Sequence, residues 1–240
     1  MRQTNFTIQV VNIITIAAAS VFTSYLLRRI LVPNVSNIAK TITVRIDGAN
    51  TGSGVIIEHE ADRYTVVSNW HVVSYGGRSI PTTSLKVQTV DRRKHSLSPK
   101  KIVRVGKLDL AILEFQSGYR YSTASIGNSD SLTEGQPLYV AGWADPSPQL
   151  SSRTYQFLVG NLSGRIHYPR DGYALVYTVN ALPGMSGGPV LDSRGNLVGI
   201  NGRATVDLRT GTVNSVLGID INRYRRARGN LVDRKSQTYN

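Results

Sequence analysis

The run Pro183-Gly184-Met185-Ser186-Gly187-Gly188-Pro189 sets one serine among glycines. A serine hydroxyl becomes a useful nucleophile only when a base takes its proton and fixed donors stabilise the oxyanion that follows. Glycines on both sides let the backbone turn tightly, so the hydroxyl stands clear and nearby N–H groups converge on one spot. The run alone is ambiguous. It satisfies a Gly-x-Ser-x-Gly nucleophile elbow, and a plain Gly-Ser-Gly turn reads the same way.

The partners narrow the choice. The histidines are His59, His71, His95 and His167, and all precede Ser186. An α/β-hydrolase needs its histidine after the serine, so that order is excluded. The order available is His, Asp, Ser, that of chymotrypsin-like enzymes. His71 ends Tyr64-Thr65-Val66-Val67-Ser68-Asn69-Trp70-His71, where a β-branched strand runs into a polar turn. Asp109 enters the apolar strand Leu110-Ala111-Ile112-Leu113-Glu114-Phe115. Taken singly, such a histidine is usually a satisfied polar group and such an aspartate a turn or cap residue. One fold explains all three positions together. His59 reads as part of a charged hairpin end, His95 as part of a basic turn and His167 as part of another turn. None has a second histidine or a cysteine at metal-ligand spacing, so neither a metal nor another cofactor is expected.

The three segments resemble the catalytic blocks of trypsin-like serine proteases, especially the bacterial HtrA-related branch. Gly52-Ser53-Gly54-Val55-Ile56-Ile57 and Gly195-Asn196-Leu197-Val198-Gly199-Ile200 are similar to flanking strands of that branch. The resemblance runs from about Ala39 to Ile221. It implies a serine endopeptidase acting on polypeptides through an acyl-enzyme, with Ser186 as nucleophile, His71 as base and Asp109 orienting the imidazole. It implies an oxyanion hole from the N–H groups of Gly184 and Ser186, with the Met185 side chain at the pocket rim. It also implies a primary pocket lined by Asn180, Ala181, Asn201 and Gly202. Asn180 falls near the pocket-base aspartate of trypsins, and Asn201 where glutamate-specific bacterial relatives tend to have histidine. A small or uncharged residue before the cut is therefore expected. Arg203 reads either as a group favouring acidic substrates or as a surface arginine beside a strand end.

Two departures from the family stand out. Trp70 precedes His71 where the family usually has a small or polar residue, and would narrow the cleft or pack behind it. Too few residues follow the second half for the peptide-binding PDZ domain of full HtrA enzymes, so PDZ-dependent assembly is not expected of this sequence. The reading from another class is an inactive, protease-shaped binding module or chaperone. Such modules typically lose a triad member or the glycine before the serine, and both are kept here.

Placing these residues needs rigid elements. At 240 residues with 22 glycines, the chain shows short β-branched runs between turn signals. Strands are expected at 42–46, 54–57, 64–67, 85–90, 102–105 and 110–115, then at 137–141, 155–159, 175–179, 190–191, 197–200 and 216–219. Many short, evenly spaced strands argue for an all-β protein. The expected architecture is two six-stranded antiparallel barrels of the chymotrypsin type, residues 34–118 and 129–222, joined through 119–128. The site would lie in the cleft between them. No internal repeat is visible. There are no cysteines, so packing rather than disulfides must hold the fold.

Residues 1–33 differ from the rest. A mostly apolar stretch from Phe6 to Leu27 reads as a signal peptide with a small-residue site at Ala17-Ala18-Ala19, or as a membrane anchor. Export from the cytoplasm is the expectation, free or anchored. The net charge of +13 is uneven: +3 lies before Pro33 and +5 from Arg223 onward. The basic tail 223–240 reads as a solvated terminal helix, or as a weak contact for acidic surfaces. Tyr224 is the only aromatic in the run Asn222–Arg228, too little for a base-stacking platform, so nucleic acid is not an expected partner.

Overall fold

The computed structural model describes residues 34–48, 50–75, 78–79, 84–206 and 213–237. The leader or anchor expected at 1–33 lies outside the described residues. The compact unit from Val35 onward begins with helix α1, Val35–Ile42, which buries Val35, Ala39 and Ile42. That spacing of four and three residues is one face of a helix. Strand β1, Thr43–Asp47, follows directly, and the Thr43 hydroxyl donates to the Ala39 carbonyl at 2.6 Å to make the join.

The first barrel is built from β1, β2 (Gly52–Glu60), β3 (Arg63–Ser68), β6 (Lys86–Gln88), β7 (Lys94–Arg104) and β8 (Ala111–Gln116). A two-stranded ladder of β4 (Ser74–Tyr75) and β5 (Arg78–Ser79) stands apart from it. The barrel closes in the order β1-β2-β3-β8-β7-β6, each pair antiparallel. The second barrel uses β9 (Pro137–Ala144), β10 (Thr154–Arg165), β11 (Tyr173–Tyr177), β12 (Pro189–Leu191), β13 (Leu197–Val206) and β14 (Val213–Asp220). Its order, β9-β10-β11-β14-β13-β12, repeats the first barrel's connectivity strand for strand. The fold is thus all-β with two six-stranded barrels, and each expected strand falls on one barrel strand. The duplication is topological, with no repeat in the sequence to announce it.

Three apolar clusters follow from this layout. One fills the first barrel around Tyr64, Leu113 and Phe115. Another fills the second around Leu138, Leu175 and Tyr177. The third lies between the barrels and joins Val55, Ile57 and Val67 of one to Ala141, Leu197 and Ile200 of the other, with α1 packed on the same cluster. Full burial of each such aliphatic side chain contributes roughly 1.5–3 kcal/mol. The inter-barrel cluster is therefore a core in its own right.

Helix α2, Ile221–Gln237, closes the described chain. Asp220 caps it, its carboxylate accepting the Arg223 N–H at 2.8 Å. Three arginines of the basic run form pairs within the chain. Arg223 pairs with Asp220 at 3.0 Å, Arg226 approaches Asp130 at 3.7 Å, and Arg228 grips Glu58 with both guanidinium nitrogens. Among the described residues, no helix is long and apolar enough to cross a membrane.

Candidate active site

Asp109 sits in the turn just before β8, 4 % exposed and held from every side. Its N–H donates to the Asp171 carbonyl at 2.9 Å, and its own carbonyl accepts from Trp70 N–H at 3.1 Å and Asn69 Nδ2 at 2.9 Å. Carboxylate Oδ1 accepts the His71 N–H at 2.9 Å. Oδ2 lies 2.8 Å from His71 Nδ1 and accepts the Tyr173 hydroxyl at 2.6 Å. Burial opposes ionisation of this carboxyl, yet the hydrogen bonds and charge of His71, with that of Tyr173, hold it below the usual carboxylate range. An ionised carboxylate only accepts, so Nδ1 carries the proton and Nε2 of neutral His71 is left as the basic nitrogen.

His71 lies in a single 3-10 turn, Trp70–Val72, at the end of β3, and its side chain is 44 % exposed. The imidazole is thus fixed at one edge and open at the other. Trp70 packs against the first-barrel core, with the Arg104 guanidinium 5.6 Å over its ring. Of its two expected placements, it takes the one behind the site.

The serine loop comes from the second barrel. Pro183 and Gly184 occupy the centre of a turn closed by the Met185 N–H donating to the Leu182 carbonyl at 3.1 Å, and Gly184 has φ 86°. Proline then glycine is the sequence such a turn requires. A Cβ on Gly184 would fall 2.6 Å from both Asp145 Oδ1 and the Trp143 carbonyl. Gly187, at φ 88°, has the same constraint against the Ser53 carbonyl, at 2.1 Å. Among the described residues, the N–H groups of Gly184 and Ser186 have no acceptor within the chain. Met185 is fully buried in the second-barrel core, its sulfur accepting the Leu182 N–H at 3.4 Å. The pocket-rim expectation for its side chain does not hold, because the tight turn aims it inward.

The Ser186 hydroxyl donates to the Gly202 carbonyl at 2.9 Å, and no hydrogen bond joins it to His71. The two segments nonetheless meet at the seam: the space beside Gly187 is bounded by Ser53, Ser68 and the Asn69 N–H, at the head of the turn that carries His71.

First-barrel groups hold the serine loop from behind. The Ser53 N–H donates to the Ser186 carbonyl at 2.8 Å, and the Ser53 hydroxyl donates to the Gly184 carbonyl at 2.9 Å. Arg153, whose side chain is only 6 % exposed, spans the same seam. It donates to the carbonyls of Ile46 and Gly52 at 2.7 and 2.8 Å on one barrel, and to that of Trp143 at 2.9 Å on the other. It also bonds Asp47 at 2.7 Å, lies 3.0 Å from Asp145 without hydrogen-bond alignment, and reaches the Gly184 carbonyl at 3.5 Å.

The expected pocket residues divide. Asn180 is exposed, and Ala181 and Gly202 are half-buried. Asn201 is 3 % exposed, with Nδ2 donating to the Met185 carbonyl at 3.0 Å and Oδ1 accepting the Tyr177 hydroxyl at 2.8 Å. It braces the serine loop, buried with both side-chain polar atoms bonded within the protein. Arg203 is tied to Asp171 at 3.0 Å, lies over the Tyr173 ring and comes 3.8 Å from Asp109 Oδ2. Tyr173, Arg153 and Ser53 are the site residues that sequence reasoning did not single out as such. The partners that place them at the site include Asp109, 64 positions from Tyr173, Ile46, 107 from Arg153, and Gly184, 131 from Ser53, beyond any local signal. His59 stacks on Tyr64 at 4.3 Å and His95 on Phe115 at 4.7 Å, so both are packing groups.

The model of the trypsin-like peptidase domain matches residues 52–200. The chain is 30 % identical over 159 residues to the serine protease Do-like HtrA of Bacillus subtilis, covering 64 % of this chain and 33 % of that protein. It is 30 % identical over 152 residues to the periplasmic serine endoprotease DegP of Escherichia coli, covering 62 % and 29 %. A probable DegP-like periplasmic serine endoprotease of Ectopseudomonas mendocina is 32 % identical over 157 residues, covering 65 % and 30 %. The chain thus spans about a third of the length of these relatives. The His-Asp pair, the glycine-framed serine and most strands of both barrels fall where the domain match runs, and the chain belongs to the trypsin-like peptidase family.

Proposed function

We propose that the protein is an endopeptidase that cleaves polypeptides through Ser186. His71 Nε2 takes the hydroxyl proton as Oγ bonds to the peptide carbonyl carbon, and then gives it to the leaving amine as the C–N bond breaks. Water, deprotonated by the same nitrogen, hydrolyses the acyl-enzyme and restores Ser186. Asp109 fixes the tautomer and stabilises the imidazolium. The N–H groups of Gly184 and Ser186 receive the oxyanion. The observation that carries this reading is the His71–Asp109 pair, its carboxylate saturated with donors beside a serine loop with two unengaged N–H groups. Attack requires Oγ to leave the Gly202 carbonyl by rotation about its Cα–Cβ bond. With Arg203 committed to Asp171 and no charge on Asn180 or Ala181, a small or uncharged residue before the cut fits best. The names of the periplasmic relatives support export from the cytoplasm.

The bond from Ser186 to Gly202 favours one other reading, a protease-shaped module that binds peptides without cutting them. Labelling of the full chain by a fluorophosphonate probe separates the two. The wild type should label, and Ser186→Ala and His71→Ala should lose the signal by about 10⁴-fold or to background. A folded wild type that does not label would leave the binding module standing.

A further inference from the structure

The carboxylate of Asp109 is served by both barrels. From the first come both His71 contacts. From the second comes Tyr173, which opens β11, is 2 % exposed, and donates its hydroxyl to the same oxygen that faces His71 Nδ1. Burial and the adjacent carboxylate push the Tyr173 phenol well up, so it remains a donor at any working pH.

The approach of Tyr173 depends on Gly202. A Cβ at position 202 would fall 2.4 Å from the Tyr173 ring and 2.5 Å from its hydroxyl. Glycine there is the condition for tyrosine reaching the carboxylate at all. The next residue, Arg203, lays its guanidinium 4.6 Å over the Tyr173 ring and 3.8 Å from Asp109 Oδ2. Asp171 anchors it at 3.0 Å, and the carbonyl of that same Asp171 takes the Asp109 N–H at 2.9 Å. A single turn, Arg170–Gly172, therefore grips Asp109 by its backbone and Arg203 by its charge. Other titratable or charged groups nearby, among the described residues, include Tyr177, whose hydroxyl is bonded to Asn201, Arg104 over Trp70, and Arg170 and Arg223 at the Arg170–Gly172 turn.

We infer that Tyr173 and Arg203 are positioning residues for Asp109, and that they extend the pH range in which His71 acts as a base toward acid. This rests on the triad reading. An imidazolium at His71 is stabilised by the negative charge left on Oδ2. A hydroxyl donor on that oxygen disperses the charge, and a guanidinium beside it opposes a second positive charge. Asp171 and solvent offset part of the Arg203 effect, since its side chain is 44 % exposed. Both residues act in one direction: each makes protonation of His71 harder. Tyr173 also fixes where Oδ2 stands, and with it the imidazole plane.

The test is the pH dependence of the second-order rate of fluorophosphonate labelling on the full chain, for wild type, Tyr173→Phe, Arg203→Gln and Arg203→Lys. Tyr173→Phe should move the acid limb upward by about one pH unit and lower the plateau about tenfold. Arg203→Gln should move the limb upward by about half a unit with little change in plateau, and Arg203→Lys should restore it. An acid limb that stays in place in both folded Tyr173→Phe and Arg203→Gln overturns the inference and leaves the triad intact. If Tyr173→Phe does not fold, the exposed Arg203→Gln decides alone. Wild-type labelling that survives Ser186→Ala or His71→Ala overturns the triad reading and this inference with it.

Discussion

The two barrels bring unequal contributions to the site. The first-barrel pair is finished: Asp109 makes six hydrogen bonds to five residues, Tyr173 among them, and His71 is locked to both carboxylate oxygens. The second-barrel serine is held by the Ser53 N–H on its carbonyl, and its hydroxyl is bonded to the Gly202 carbonyl instead of the imidazole. Charge explains the contrast. A buried carboxylate is costly unless saturated with donors, so the fold must complete that half before anything binds. A neutral hydroxyl costs little in either rotamer, so it can wait for a substrate to turn it. Preorganisation is placed where desolvation demands it.

Breaking the finished half should have the largest effect. Asp109→Asn keeps the shape but donates where the carboxylate accepted, so Nδ1 loses its proton partner and Nε2 ceases to be the base. Turnover should fall about 10⁴-fold at neutral pH, read as peptide hydrolysis or labelling rate, with the unfolding temperature little changed. A loss under tenfold would show that the pair is not in the reaction path. Displacing a backbone donor of the serine half should cost less. Gly184→Ala forces a Cβ against Asp145 and Trp143 at positive φ, displacing one of the two N–H groups proposed to receive the oxyanion. A loss of about 10²–10³-fold in kcat is expected, with the acid limb of the pH profile unmoved. A shifted limb would show that the two halves are not separable.

The smallest effect belongs to the periphery. Glu58→Gln removes the partner of Arg228 on α2, a surface pair worth at most about 1 kcal/mol. Its hydrogen bond with Arg228 lowers the Glu58 carboxyl below its ordinary value, burial opposing. A depressed carboxyl stabilises the fold above its unfolded value and loses that contribution as pH falls through the folded one. Denaturant unfolding should therefore separate variant from wild type near pH 7 and bring them together below about pH 4. Activity should not change.

How much of this could be read in the sequence follows from range. Strands such as Tyr64–Val67 and Leu110–Phe115 declare themselves because β-branched and alternating residues carry a local signal. His71, Asp109 and Ser186 were legible because each sits in a short block of distinctive neighbours. Helix α1 was not legible, since eight residues give barely two turns of pattern ahead of a strand. Met185 was misplaced because the direction of its side chain is set by the φ of Gly184, which the residue types permit but do not fix. Tyr173 and Arg153 sit in an ordinary strand and an ordinary polar turn. Nothing nearby in sequence tells them from any other tyrosine or arginine, because what they touch is brought to them by barrel closure.

The seam at Arg153 has a consequence for how the molecule fails. The shape of the serine loop is imposed across the seam, by Ser53 on the Gly184 carbonyl and by Arg153 bridging Ile46 and Gly52 to Trp143. Neither barrel alone contains both sides of that clamp. Prying the barrels apart would loosen the loop while twelve strands remained paired. Heat or denaturant should then disorganise the serine loop before the barrels themselves unfold.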